Sequence, residues 1–482
     1  MRILYIDIDS LRPDHLGCYG YARPTSPNID RVAGRGICFD NCYASDVPCM
    51  PSRTSLFSGQ FGIHHGCVSH TGTRADPLSE GVNRKFRSAW GHNNWMRQLR
   101  NAGMRTVTFS SFAERHAAWH WYAGFEEIHD TGYFGHEICD HVVPKALEWV
   151  RRNAEEDNWF LHVNLWDVHV PYRTPSEFGL RFTETPLPDP WLTEEMLQEH
   201  CRQPGMRSAS NGRRIRNHSD KRPDLNPEKL ATLKDVKLIH DAYDTAVLYV
   251  DQHVGRLIEA LDTAGILNDT AIIVSADHGE CLGELNAYGG HCFADHNVAR
   301  VPLIISWPGI TDERAGTREA GLHYHLDLAP TVCELLGIHP PDSWDARSFA
   351  NILKHDQTPF NVREYLVVSQ LAQACQRAVR FQHDDSGYLY IRTYHGGSYE
   401  LPEQMLFNVS LDPHEDRDLA TSLPDLVEVA DQKLKDWKQA MLRNAILSDP
   451  LQTVLDDLLF REGGNRDRSG PPHASTLKDV NM

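Results

Sequence analysis

Ile3-Leu4-Tyr5-Ile6 runs directly into Asp7-Ile8-Asp9. The apolar run has the length and composition of a strand buried on both faces, and its closing carboxylates fall where such a strand leaves a sheet. Further strand-like runs follow at Arg105-Thr106-Val107-Thr108-Phe109-Ser110, Trp159–Leu165, Thr270–Ser275 and 301–306. Helical patterns separate them. One opens at Ser26-Pro27 with a cap-like Ser and a Pro in the first turn, and another runs through Asn94-Trp95-Met96 to a stop at Gly103. The longest spans about 235–263, where Ala242, Ala246, Val250, Val254, Leu257 and Ile258 recur at helical spacing.

Strands alternating with helices predict an α/β fold over 1–365, a large mixed, mostly parallel sheet flanked by helices. Residues 185–232, rich in Pro, Arg and Asn, read as a surface insertion at a substrate rim. After about residue 366 the rhythm changes. Tyr388-Leu389-Tyr390-Ile391 and Gln404–Asn408 alternate, and a helical pattern follows Pro424. This predicts a smaller C-terminal α+β subdomain over 366–460 and a polar, mobile tail over 461–482.

The chain has 482 residues and a formal net charge of −18, with ordinary apolar (41%) and charged (24%) content. That balance argues against a nucleic-acid partner and gives no basic handle for a membrane surface, and no apolar run approaches a membrane span. The eleven cysteines are scattered without a CxxC pair, and Met1-Arg2-Ile3 opens without a leader-like segment. Reduced thiols and a cytoplasmic location are therefore expected.

Cys49-Met50-Pro51-Ser52-Arg53 follows Asp46-Val47-Pro48 where a loop feeds a helix. Pro51 suits a first helical turn, the helix start offers free amides and positive dipole to an anion, and Arg53 adds a guanidinium fork. Three other segments belong at the carboxyl ends of strands, where open α/β sheets bind ligands: Asp7-Ile8-Asp9, Trp166-Asp167-Val168-His169 and Asp277-His278. A carboxylate at one strand end and an Asp-His pair at another make a candidate hard-cation site. Oxygen donors favour Ca²⁺ or Mg²⁺, and His278 leaves Mn²⁺ or Zn²⁺ open.

These segments carry a family resemblance. Asp9-Ser10-Leu11-Arg12-Pro13-Asp14-His15-Leu16-Gly17-Cys18-Tyr19-Gly20 resembles the opening motif of type I sulfatases of the alkaline-phosphatase superfamily. Cys49-Met50-Pro51-Ser52-Arg53 is similar to their cysteine-type maturation signature, and Ser275-Ala276-Asp277-His278-Gly279-Glu280 to their second metal motif. Arg300-Val301-Pro302-Leu303, His325-Leu326-Asp327 and Asp412-Pro413-His414-Glu415 extend the resemblance to about residue 435.

The resemblance implies an alkaline-phosphatase-like fold and a sulfuric-ester hydrolase whose Cys49 is converted by a separate maturation enzyme to Cα-formylglycine. One hydroxyl of the aldehyde hydrate would attack sulfur, and the other would expel sulfate. It further implies that Asp9, Asp277, His278 and position 49 hold one divalent ion, calcium in the first instance. Arg53 would orient the nucleophile and bind the anion, and His169 would bind sulfate and protonate the leaving oxygen.

The chain departs from the family at three places. Ser10 stands where many relatives have a second carboxylate, with Asp7 a possible outer partner. Ser110-Ser111-Phe112-Ala113-Glu114-Arg115-His116 replaces a Lys-x-His, so Arg115 and His116 are candidates for the charge. Tyr288-Gly289-Gly290-His291 lacks an expected Lys, which leaves His291. Histidines in place of fixed cations predict a slightly acidic pH optimum.

His64, His65, His70 and the aromatic stretch Trp119-His120-Trp121-Tyr122 are candidates for the substrate rim, and the expected substrate is a small sulfated molecule, in the first place a sulfated carbohydrate. The alternatives are a phosphonate monoester or phosphodiester hydrolase of the same superfamily, and a non-catalytic anion-binding relative.

Overall fold

The computed structural model describes residues 1–70, 72–77, 89–211, 230–354, 363–443 and 448–456. The tail expected at 461–482 and the 212–229 part of the insertion lie outside the described residues.

Among the described residues, eleven strands precede residue 355: β1 (Arg2–Ile8), β2 (Ile37–Tyr43), β3 (Asp46–Val47), β4 (Arg105–Phe109), β5 (Glu127–His129), β6 (Trp159–Leu165), β7 (Thr270–Ser275), β8 (Cys281–Leu282), β9 (Tyr288–Gly290), β10 (Leu303–Ser306) and β11 (Thr317–Tyr324). Eight of them form one sheet in the order β11-β2-β10-β7-β1-β6-β4-β5. Only β10 opposes its neighbours. A mostly parallel sheet flanked by helices is therefore observed, as the apolar runs imply.

The register of the central strands explains why distant segments meet. Asp7 lies opposite Asn164 on β6 and Ser275 on β7, so all three strands end at one edge. Asp9, the 166–169 segment and Asp277-His278 leave from that edge together. The Leu233–Thr263 helix, capped by Thr232 accepting from the Asp235 N–H, packs against the same loops. Its Tyr243 hydroxyl donates to the Ser10 carbonyl at 2.8 Å and accepts from the Arg12 N–H at 2.8 Å.

A second sheet contains β12 (Tyr365–Gln370), β13 (Cys375–His383), β14 (Ser386–His395) and β15 (Gln404–Asn408) as an antiparallel meander, backed by the Pro424–Leu442 helix. Its fifth strand is β3, paired in parallel with β12 through Ser369–Asp46 and Gln370–Val47. The strand leading into Cys49 thus belongs to the C-terminal sheet, a link that a division at 365/366 does not anticipate. Gln370 also donates to the His291 carbonyl at 2.9 Å, and Gln376 accepts from the Ala294 N–H at 3.1 Å. None of the described helices is long and apolar enough to cross a membrane.

Candidate active site

Cys49 begins a ten-residue helix, Cys49–Ser58, with Pro51 in its first turn. Asp46 fixes the approach to it. One carboxylate oxygen accepts from the Ser45 and Ser55 hydroxyls and from the Gly62 N–H at 2.8–3.0 Å. The Ser52 hydroxyl donates to the Asp277 carbonyl at 2.6 Å and joins the helix to the end of β7.

One ligand atom from each of Asp9, Cys49, Asp277 and His278 lies within 4.8 Å of the others, and all four residues are buried. Cys49 Sγ is 3.0 Å from His278 Nε2. The other imidazole nitrogen, Nδ1, is 2.7 Å from the Gly279 carbonyl, which fixes the ring and leaves Nε2 directed at the cluster.

Arg53 reaches across the cluster. It donates from Nε and Nη2 to the two oxygens of Asp7 (2.8 and 3.2 Å) and from Nη1 to Asp9 (2.9 Å) and Asp277 (2.5 Å). Its guanidinium lies 4.7 Å from the Phe112 ring centroid and 5.5 Å from that of Trp166. Arg53 therefore orders the carboxylates, and Asp7 serves as its bidentate anchor. Ser10 donates to Asp9 Oδ1 at 3.1 Å from its hydroxyl and to Asp277 Oδ1 at 3.2 Å from its backbone, so it buttresses the carboxylates without adding charge.

Three buried carboxylates face one guanidinium. Burial, reinforced by Asp9 and Asp7, pushes the Asp277 carboxyl well above its ordinary range despite Arg53. Two carboxylates, an imidazole nitrogen and position 49, with negative charge in excess, are a donor set that fits a divalent cation. Burial and the charges of Asp9 and Asp277 also push the Cys49 thiol far up, so the encoded side chain is a protonated thiol and a poor nucleophile.

A second group shares position 49: ligand atoms of Cys49, His169 and His291 also lie within 4.8 Å of one another. The His169 and His291 rings are 5.2 Å apart, and His291 stands 4.5 Å from His278. His169 Nδ1 is 2.5 Å from the Val170 carbonyl, while Nε2 makes no hydrogen bond among the described residues. His70 completes the arc, 5.2 Å from His116 and 6.2 Å from His291 by ring centroids.

Burial holds all these imidazoles neutral, helped for His169 and His291 by neighbouring arginines and histidines. His116 is held well below its ordinary value and His70 is pushed down to about 3. Glu280, whose carboxylate lies 3.8 Å from His291, is raised by burial to about 8 against the pull of Arg207.

The other expected rim residues divide. His64 is held by Asp345 (2.8 Å) and the Met441 carbonyl (3.0 Å), and His65 by Ser55 (2.9 Å), so both serve structure. Trp121 packs into the core between Phe57 and His162 because its ring is far more apolar than a rim requires, and only Trp119 of that stretch is largely exposed.

Arg207 was not anticipated. It donates to the Gly289 carbonyl at 2.6 Å, and a Cβ on Gly290 would stand 2.5 Å from its Cδ. The insertion thereby brings a fixed cation to the turn that lacks a lysine, and the adjacent glycines were the signal in the sequence.

Residues 2–338 match the protein family described as Sulfatase. The chain is 24% identical to the multifunctional alkaline phosphatase superfamily protein PehA of Trinickia caryophylli, over 91% of this chain and 95% of that protein. It is 22% identical to the N-acetylglucosamine-6-O-sulfatase of Bacteroides thetaiotaomicron, over 91% of this chain and 87% of that protein. Among solved structures, a protein in complex with its substrate D-glucosamine-2-N,6-O-disulfate superposes with a TM-score of 0.71 at 19% identity, covering 93% of this chain and 99% of that one.

Proposed function

The chain belongs to the sulfatase family and is a sulfuric-ester hydrolase, and we propose that it removes sulfate from a sulfated carbohydrate through a formylglycine made from Cys49. The observation that carries this reading is the meeting of Cys49 with Asp9, Asp277 and His278 within 4.8 Å. The similarity to an N-acetylglucosamine-6-O-sulfatase supports the carbohydrate.

The protonated thiol at position 49 suits a precursor better than a nucleophile. The aldehyde hydrate made from it supplies two hydroxyls, one to attack sulfur and one whose ionisation releases sulfate. A divalent cation, calcium in the first instance, held by Asp9, Asp277, His278 and position 49 supplies Lewis acidity to the nucleophilic hydroxyl and a counter-charge to the sulfuryl group.

Arg53 keeps Asp9 and Asp277 aligned. With Nδ1 donating to the Val170 carbonyl, only the protonated imidazolium of His169 carries a proton on Nε2. That form gives it to the departing alcohol oxygen, and the low pKa makes it a strong acid. His116 and His291 face the sulfuryl oxygens. Because burial lowers these histidines below their ordinary value, the protonated fraction falls as pH rises through the acidic range, and the optimum lies on the acidic side of neutrality.

The test begins with the mass of the tryptic peptide 36–53, where conversion exchanges sulfur and two hydrogens for one oxygen. Sulfate release is then compared between the converted protein and Cys49→Ala. Full activity with an unmodified thiol defeats the mechanism. Preferred turnover of phenyl phosphonate over aryl sulfate would transfer the assignment to a phosphonate monoester hydrolase.

A further inference from the structure

Arg115 and Arg173 come from different parts of the chain, after β4 and after β6, and both rest on Trp166. The Arg115 guanidinium lies 4.9 Å from the Trp166 ring centroid, and its Nη1 donates to the Gly135 carbonyl at 2.9 Å. Arg173 donates from Nη1 to the Trp166 carbonyl at 3.4 Å and from its backbone N–H to the Asp167 carbonyl at 3.1 Å. Both side chains are half-buried.

Burial and the nearby Arg115 push Arg173 down to about 10, while Asp167, Asp9 and Glu137 pull the other way. Both arginines act on His169, and Arg115 acts on Cys49 itself. Among the described residues, the hydrogen bonds these two guanidiniums make are to neutral carbonyls. Two like charges on the same tryptophan and partly withdrawn from water are costly unless an anion joins them.

The ester being cleaved carries one negative charge, which the proposed cation, His116, His169 and His291 already face. Arg115 and Arg173 are charges that this ester leaves unmatched. We propose that Arg115 and Arg173 form a subsite for a second anionic group, a carboxylate or a second sulfate, carried by the same substrate beside the scissile ester. A planar guanidinium pair suits either group through bidentate hydrogen bonds. This inference rests on the sulfatase reading for the place of the scissile ester.

The experiment uses calcium-loaded, formylglycine-bearing protein and three esters: a monosulfated neutral hexose, a disulfated hexosamine and a monosulfated uronic acid. At least one doubly charged ester is turned over about tenfold or more better in kcat/KM than the singly charged one, and which of the two it is identifies the second group as sulfate or carboxylate. Arg173→Gln collapses that ratio about tenfold, and Arg173→Lys keeps part of it. A wild-type ratio near one, or an equal fall for all three esters in Arg173→Gln, overturns the subsite.

Calorimetry on Cys49→Ala separates this result from the fate of the function. If no sulfate ester is hydrolysed the function fails, yet tighter binding of a doubly charged sugar that Arg173→Gln abolishes still upholds the subsite. Equal binding of the three sugars, or none, overturns it.

Discussion

Three carboxylates share the Arg53 guanidinium, so Arg53→Met strands their charge in the interior. The expected loss in urea unfolding is about 3–5 kcal/mol without divalent ions, and calcium should recover part of it. An unchanged unfolding midpoint would contradict the role given to Arg53. His169→Asn removes the proton donor proposed for the leaving oxygen. Alkyl sulfates should lose roughly 10²–10⁴ in kcat, and nitrophenyl sulfate far less because its leaving group needs no proton. His65 allows a prediction of stability against pH. Burial, then His64 and His120, holds its imidazole down at about 3 in the folded protein. Below the unfolded value of about 6.5 the unfolded chain takes up the extra proton first, so folding stability falls as pH drops, by about 1.4 kcal/mol per unit in that window. His65→Gln should remove that component, read as the difference in urea unfolding between pH 7 and pH 5.

Gly279 follows the metal-motif histidine, and a Cβ there would stand 2.0 Å from the Asn297 carbonyl oxygen. Gly279→Ala must therefore move the loop whose carbonyl fixes His278. A loss of about 1–3 kcal/mol in stability and of roughly 10–100-fold in calcium affinity is expected, and an affinity equal to wild type by calorimetry would refute it. At this scale the sequence is readable where an element announces itself. β1, β6 and β7 are apolar on both faces, and the long Leu233–Thr263 helix keeps its period. The motif residues Asp9, Cys49, Asp277 and His278 sit at element ends and converge. β3 is two residues long and has no periodicity to read, and nothing in the composition of β10 marks it as the antiparallel strand. Arg173 and Arg207 escaped for another reason: their partners, Trp166 and the Gly289-Gly290 turn, define a cleft only after the chain has folded.

With the proposed cation bound, the molecule would depend on it as a whole, because the cluster ties β1, β7 and the Cys49 helix together. Chelation should abolish turnover and lower the thermal midpoint, and calcium at a hundredfold over its Kd should return about 2.7 kcal/mol of stability. A midpoint indifferent to both would show that the four residues hold no ion. The C-terminal sheet is equally part of the site, since Gln370 supports the His291 carbonyl and β12 pairs with β3. That pairing also sets a timetable. Asp46–Val47 leave the ribosome early, and their partners Ser369 and Gln370 leave it late. Until then the Cys49 segment lacks the β12 strand on which it docks, and its thiol would be open to the proposed modifying enzyme. Once the two strands join, Cys49 is sealed at 1% exposure. If Cys49 is matured as proposed, maturation and closure run as a race, and a slower translation between residues 49 and 369 would give the thiol longer to be changed.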